Sequence, residues 1–482
     1  MTLPQHKTKL VCTIGPASAS PDVLAQMLLA GMDIARINFS HGDFSGHKKV
    51  IENLRSASRL TGKPVTIMAD LPGPKIRIGE LRSEPIELRQ HDRFVLSTND
   101  VAGDAQRVSV NFSDLPRAVK PGDIIFLNDG LIQLSVETIT AEDVICTVMT
   151  GGELRSRKGL NLPGIELGIT AFTKQDAACL AFALENGIDA ISQSFVESAE
   201  DISAVRSAAR AMGHDLFIIA KIERSRALDR LEEILVAADA IMIARGDLGV
   251  EIPIENIAVI QKQIIHRANC LGKPVITATQ MLVSMTENRR PTRAEATDVA
   301  NAILDGTDCV MLSEESATGK YPVEAVAMLR KIATVTEPQQ RQYAVCDMLN
   351  STCPDRTHNL TDLVALSIET ILEYAPAPLV FVPARTGATA RTIGRFRLAA
   401  WIVAVSQNEK TCQQLRFSYG VYPVLEPQHP VNWNHYIQNF LHNHEVSAEV
   451  VLLAEGPSAA HPDANHRVEI VTMRSSSFKD IA

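Results

Sequence analysis

The 482 residues hold no apolar run approaching the length of a membrane span. Nor do they open on a secretory leader, because residues 1–9 are polar and the apolar stretch 10–14 is too short for one. Positive charge is not in excess: the formal net charge of −9 argues against a nucleic-acid carrier. The eight cysteines form no CxxC pair and no ligand-like spacing, so reduced thiols in a cytoplasm are expected rather than disulfides or zinc. GxxxxGK[ST] is missing as well, since neither Gly62-Lys63 nor Gly319-Lys320 follows the earlier glycine, and a nucleotide must be held by other means than a P-loop. What is present, 45% hydrophobic and 21% charged, is the composition of a soluble globular protein of two or three domains.

Strand-like and helical stretches alternate from the start. Strands are expected at 10–15, 33–39 and 65–71, with helices between them: one opened by Ser20-Pro21 and closed by Gly31, the next over 44–60 and ended by Gly62. Alternation stops at Pro72. Up to about 168 the runs are short, β-rich and divided by turn residues, which predicts an inserted all-β domain. Alternation then resumes, with strands at 190–195, 217–222, 240–244, 274–279 and 309–313. Capping boxes are expected at Thr173/Asp176, Ser198/Asp201 and Thr292/Glu295. Three strands before the insertion and five after it predict a (β/α)8 barrel with its site at the C-terminal strand ends. A polar, irregular stretch follows from about 336. Beyond it βα alternation (helix 360–374, strand 379–382, a helix from about 386, strand 401–405, helix 409–419) predicts a C-terminal α/β domain with a small open parallel sheet.

The chain is organised around 217–253. Its two apolar runs end in charge, Lys221 and Glu223 on the first, Arg245-Gly246-Asp247 on the second, with one helix expected over 227–238. Residues two apart on a strand face the same way, so Lys221 and Glu223 project into one space, and the parallel neighbour strand brings Asp247 there. Other strand ends add Arg36, Asn38, Ser40, Asp70, Ser194 and Thr279. Two hard carboxylates without nearby Cys or His suit Mg2+ or Mn2+, and Arg36 with Lys221 points to an anionic substrate. In the last domain the loop Pro383, Ala384, Arg385, Thr386, Gly387, Ala388, Thr389 lies between a strand and a helix start; an anion site and an ordinary βα turn both fit it.

The stretches Cys12-Thr-Ile-Gly-Pro-Ala-Ser18, Arg36-Ile-Asn-Phe-Ser-His-Gly42, Ile218-Ile-Ala-Lys-Ile-Glu223, Ala244-Arg-Gly-Asp-Leu-Gly249, Ala278-Thr-Gln-Met281 and Arg290-Pro-Thr-Arg-Ala-Glu295 resemble pyruvate kinase, in order along essentially the whole chain. The resemblance implies a barrel A domain (1–71 and 169–338), a β-barrel lid or B domain (72–168) and a regulatory C-terminal domain (339–482), in a cytoplasmic homotetramer that binds neither nucleic acid nor membrane. It implies transfer of the phosphoryl group of phosphoenolpyruvate to ADP, giving pyruvate and ATP in the last step of glycolysis. By the same resemblance Glu223 and Asp247 hold Mg2+, which also touches the substrate's carboxylate and enolate oxygens, and Lys221 meets the moving charge. Arg36 clamps the phosphate, Ser194 and the Gly246 and Asp247 amides join in binding the substrate, and Thr279 helps deliver a proton. ADP, with a second Mg2+, meets Asn38, Ser40, His41, Arg77 and Lys158. The alternative is a pyruvate-utilising barrel aldolase or lyase, because a barrel lysine beside a carboxylate also suits carbonyl chemistry.

Three departures matter. Where many family members carry Asp-Thr-Lys-Gly-Pro-Glu-Ile-Arg-Thr, this chain has Asp70-Leu-Pro-Gly-Pro-Lys-Ile-Arg-Ile78. Leu71 removes a hydroxyl from the monovalent-cation position formed with Asn38, Ser40 and Asp70, and Lys75 brings an ammonium that can replace K+. This resembles the K+-independent branch; alternatively Lys75 is a charge on the hinge loop. Glu314 is an extra carboxylate where the family commonly has glycine, read as surface variation. The 383–389 loop keeps a basic residue, a hydroxyl and a glycine of the family's effector loop, while the 456–466 loop does not resemble the one that embraces fructose 1,6-bisphosphate. A sugar monophosphate is therefore the expected effector.

Overall fold

The computed structural model describes residues 3–340, 360–456 and 465–473. Eight strands close into a parallel barrel in the order Lys9–Thr13, Ile34–Asn38, Thr66–Leu71, Ala190–Gln193, Phe217–Ile222, Ala240–Ala244, Val275–Ala278 and Cys309–Leu312, and the last pairs with the first. Each strand is an almost unbroken apolar run because helices cover the outer face and side chains fill the inner one. All six residues of Phe217–Ile222 are buried, including Lys221. The intervening helices start where their caps stand. Ser20 and Thr173 accept from main-chain N–H groups three residues on, and the capping boxes at Thr173/Asp176, Ser198/Asp201 and Thr292/Glu295 all form.

The expected helix over 227–238 is instead two short ones, Ser225–Asp229 and Leu231–Ala237; at Arg230 the backbone (φ −113°, ψ 20°) leaves the helical region. The inserted segment has its own core around Phe94, Leu96, Ile125, Leu134 and Val148. Its strands pair as an open six-stranded sheet and a two-stranded ribbon, not as one closed barrel, and it contains one helical turn, Leu115–Ala118.

In the C-terminal unit four strands are parallel, in the order Val421–Leu425, Trp401–Ser406, Leu379–Pro383 and Val450–Glu455. These form the expected open parallel sheet, and a fifth strand, Arg467–Thr472, adds antiparallel at its edge. The helix expected over 409–419 stops at Leu415, because Phe417, Ser418 and Tyr419 turn into the base of the barrel. There Phe417 stacks on Phe217 with ring centroids 5.1 Å apart. The polar stretch at 341–359, with Cys346 and Cys353, and most of the 456–466 loop lie outside the described residues.

Candidate active site

Because all eight strands run the same way, their C-terminal ends share one mouth, and each of the first five sends a polar side chain to a single buried cluster. Asp70 is its centre. It accepts from Arg36 and from Lys221 Nζ (3.2 Å) on one carboxylate oxygen and from Ser192 Oγ (2.6 Å) on the other. Arg36 also donates to Thr13 Oγ1 at 2.9 Å, and its buried Nε–H has no partner among the described residues. Lys221 Nζ is 2.8 Å from Glu223 Oε1 and donates to Ser194 Oγ at 2.7 Å. Ser194 Oγ in turn donates to Leu71 O at 2.7 Å.

The charges are mutually set. Burial opposes ionisation of Asp70, but Lys221 and Arg36 outweigh it and hold the carboxyl down to about 2. Burial likewise opposes the Lys221 charge, and the Asp70 and Glu223 carboxylates more than offset it, so its pKa lies above the ordinary lysine value. Lys221 is a cation at neutral pH. Glu223 is pushed up by burial and by the neighbouring Asp247 carboxylate, against the pull of Lys221.

Asp247 lies in the first turn of a short helix, Arg245–Glu251, that begins where the sixth strand ends. Its Oδ1 is 3.4 Å from Lys75 Nζ. Each of the two expected metal ligands is thus held by an ammonium where a divalent cation would bring stronger charge relief. Among the described residues no group of three or more His, Cys, Asp or Glu could hold a metal. A pair of hard carboxylate oxygens fits an ion such as Mg2+, which keeps its remaining positions for water and substrate oxygens.

Thr279 has φ +68°, unusual for a β-branched residue, and is clamped there. Arg245 donates to Thr279 O at 2.7 Å, and Gly246 N–H donates to Thr279 Oγ1 at 2.8 Å. The Gly246 amide, expected to bind substrate, thus meets the Thr279 hydroxyl in this structure. Phe195, also at positive φ (+58°), donates its N–H to Glu223 Oε2 at 2.9 Å.

Not every expected residue joins this cluster. Asn38 Oδ1 accepts from Ser40 N–H, and Ser40 and His41 are exposed on the loop after the second strand. Arg77 donates to Arg157 O, and Lys158 O accepts from Ile78 N–H, so both lie on paired segments of the inserted domain. Among the described residues no hydrogen bond or ion pair joins Arg77 or Lys158 to Asn38, Ser40 or His41. The Lys75 ammonium meets Asp247 and not Asp70, whose oxygens are already taken; Leu71 is fully buried. Glu314 is exposed, while its neighbour Glu315 is buried and accepts from Ser313 N–H and Leu282 N–H. In the 383–389 loop Arg385 and Thr386 are exposed, and Gly387 at φ +77° begins the helix Ala388–Gly394. Sequence reasoning missed Thr13, Ser192 and Arg245 as supports. Their only signal was position at a strand end.

The family models for the pyruvate kinase barrel domain and the pyruvate kinase alpha/beta domain match residues 5–326 and 362–458. A pyruvate kinase from Thermococcus litoralis is 49% identical over 425 residues, 88% of this chain and 89% of that protein. One from Geobacillus stearothermophilus is 45% identical over 88% of this chain and 72% of its own length. A crystal structure of a pyruvate kinase from Cryptosporidium parvum superposes with a TM-score of 0.90 at 32% identity, covering 97% of this chain and 96% of that one.

Proposed function

This chain belongs to the pyruvate kinase family and is a phosphotransferase, and we propose that its barrel mouth moves the phosphoryl group of phosphoenolpyruvate to ADP without needing K+. One observation carries the reading. Lys221 is a buried cation fixed by Asp70, Glu223 and Ser194, and the Glu223 carboxylate it meets is near enough to Asp247 to feel its charge. Glu223 and Asp247 would hold Mg2+, which when bound supplies a Lewis acid that neutralises charge on substrate oxygens.

The transfer breaks the P–O bond of phosphoenolpyruvate and forms one to a β-phosphate oxygen of ADP. The enolate left behind takes a proton at its methylene carbon. Phosphoryl transfer of this kind is achieved by positioning and by compensating charge, not by covalent help from the protein. Lys221, pinned on three sides, keeps a positive charge where the phosphoryl and the enolate oxygen develop theirs. Arg36 has a buried N–H still unpaired, which suits a phosphate oxygen. The Thr279 hydroxyl donates to Ala278 O at 2.6 Å and accepts from Gly246, which leaves a lone pair to orient the water that protonates the methylene carbon. Asn38, Ser40, His41, Arg77 and Lys158 would meet the ADP phosphates once the lid domain bearing the last two approaches the mouth.

Lys75 supports K+ independence by delivering a tethered monovalent charge to Asp247. A sugar monophosphate at the Arg385 loop remains the effector reading, in a homotetramer as is usual for the family. The aldolase alternative is disfavoured by the Lys221 environment, since imine formation needs a neutral amine and the Asp70 and Glu223 carboxylates outweigh burial and Arg36 to favour the cation.

The test is pyruvate release from phosphoenolpyruvate, with ADP, Mg2+ and K+ omitted in turn. Turnover should require ADP and Mg2+ and proceed equally in Na+ or K+. Lys221→Met should lower kcat by at least about 10^3 with the fold intact, given that charge stabilisation of this kind is worth several kcal/mol. A variant retaining most of its turnover would remove Lys221 from the chemistry, and a large K+ stimulation would remove Lys75 from its role.

A further inference from the structure

Thr279 and Gln280 both lie in the left-handed region, at φ +68° and +54°, where a residue bearing a side chain needs outside support. Arg245 supplies it. The arginine side chain is 9% exposed, and every guanidinium N–H has an acceptor. Nε–H donates to Ala278 O at 3.3 Å, and Nη1 to Asp298 Oδ1 at 2.7 Å and Gln261 Oε1 at 3.3 Å. Nη2 donates to Thr279 O and pairs with Asp298 Oδ2, both at 2.7 Å. Asp298 stands on the helix Arg293–Leu304 and Gln261 on the helix Ile257–Cys270, where Gln261 donates on to Asp305 at 3.1 Å. The two carbonyls that flank the Thr279 Cα are therefore tied by one planar fork to two barrel helices. No donor of Arg245 is left over for a substrate. Nor does Arg245, Asp298 or Thr279 share a hydrogen bond with Arg36, Asp70, Lys221 or Ser194 among the described residues, so the mouth holds two networks with no member in common.

We infer that Arg245, aimed by Asp298, is a positioning residue for the protonation half of the reaction, and that it acts by fixing where the Thr279 hydroxyl stands. That role rests on the phosphoryl-transfer reading above, in which Thr279 orients the water that gives the proton. In this step the enolate's π pair forms the new C–H bond with a proton of the water, and the water regains one from solvent. A proton donor must stand within hydrogen-bond reach of its target, and a displacement of about 1 Å costs about a hundredfold in rate. Without the fork Thr279 relaxes out of the left-handed region and carries its hydroxyl with it. Protonation then slows, while the Lys221 network that meets the phosphoryl group keeps its bonds. A lysine at 245 would keep the charge, but an ammonium is a point donor and cannot bridge two carbonyls and a carboxylate in one plane.

The proton step can be followed alone. A group that delivers a proton also removes it in reverse, so the full chain with pyruvate, Mg2+ and ATP in D2O should exchange the methyl protons of pyruvate, as read by proton NMR. Transfer is read separately, as ATP formed from phosphoenolpyruvate and ADP; an enol that escapes unprotonated ketonises in solution. In Arg245→Lys the ratio of exchange to transfer should fall at least tenfold, with KM for phosphoenolpyruvate within twofold of the natural value. Asp298→Asn should lower the ratio in the same direction. Its carboxylate is 39% exposed on the outer helix, so this variant carries the test alone if Arg245→Lys does not fold. An unchanged ratio overturns the inference. So does a joint fall of exchange, transfer and phosphoenolpyruvate affinity, which assigns Arg245 to holding the site together, and so does a natural protein that forms ATP but exchanges no methyl protons. A natural protein that forms no ATP from phosphoenolpyruvate overturns the transfer reading itself, a failure distinct from the others.

Discussion

Asp70 holds two cations that would otherwise repel each other in a buried space, and its own charge depends on them. Lys221 and Arg36 hold its carboxyl down to about 2, below the ordinary aspartate value, so its contribution to stability is fully present above the unfolded value and is lost as pH falls toward the folded one. A shift of that size corresponds to about 2 kcal/mol. Asp70→Asn keeps the shape and removes the charge. The difference in unfolding free energy between the natural protein and this variant should be constant above about pH 5 and shrink below pH 4, as read by denaturant titration at each pH. A difference that did not change with pH would assign the loss to packing. Lys221 and Glu223 were legible in the sequence, because period two along one strand is enough to bring them together. The role of Asp70 was not: it lies 151 residues before Lys221 and meets it only when the barrel curves across the strand between them. The same closure reveals Thr13 and Ser192, each an unremarked hydroxyl on its own strand.

Among the elements, the segment that returns the chain from the inserted domain to the barrel is held more firmly than its irregular backbone suggests. Arg224, almost fully buried just after the fifth strand, donates to Ile165 O at 2.9 Å and pairs with Glu197 (3.3 Å) and Glu251 (3.4 Å), while Arg226 pairs with Glu166 at 3.1 Å. Burial already raises the pKa of both Glu197 and Glu251, and Arg224 is a principal opposing charge for each. Arg224→Met removes that charge and strips two carbonyls of their donor. We expect a loss of about 3 kcal/mol, by analogy with broken buried pairs, and faster amide exchange across residues 162–168 with the barrel strands unaffected. If the lid depends on this anchor, KM for ADP should rise several-fold while kcat changes little. Unaltered exchange in 162–168 would show that Arg224 does not anchor the segment. The barrel elements themselves were readable because caps, apolar runs and turn residues agree locally. The break at Arg230, the early end of the helix at Leu415 and the antiparallel edge strand Arg467–Thr472 were not, since each is imposed by what the segment packs against and not by its own pattern.

On the scale of the whole molecule, the C-terminal unit is wedged into the base of the barrel through buried polar bonds as well as through Phe417. Arg397 makes two 2.9 Å bonds to Asp308, just ahead of the eighth strand, and also reaches Gly306 O and Asn269 Oδ1. Asp308 in turn accepts from Val275 N–H within the barrel and from Tyr419 N–H of the C-terminal unit. Lys9 adds a bond from the first strand to Val421 O at 2.8 Å. A junction of this kind makes the two units unfold together, because separating them breaks the Arg397–Asp308 pair and exposes the apolar contact of Phe417 on Phe217. Replacing Arg397 by Met preserves bulk and strands the Asp308 charge, a change that costs about 3–5 kcal/mol at a buried pair. Calorimetry should therefore turn one cooperative transition in the natural protein into two in Arg397→Met. The C-terminal unit should melt first, and the barrel should retain most of its stability, because Asp308 keeps its bond from Val275. A single transition lowered as a whole would mean that the remaining contacts, Phe417 on Phe217 foremost, suffice to couple the units.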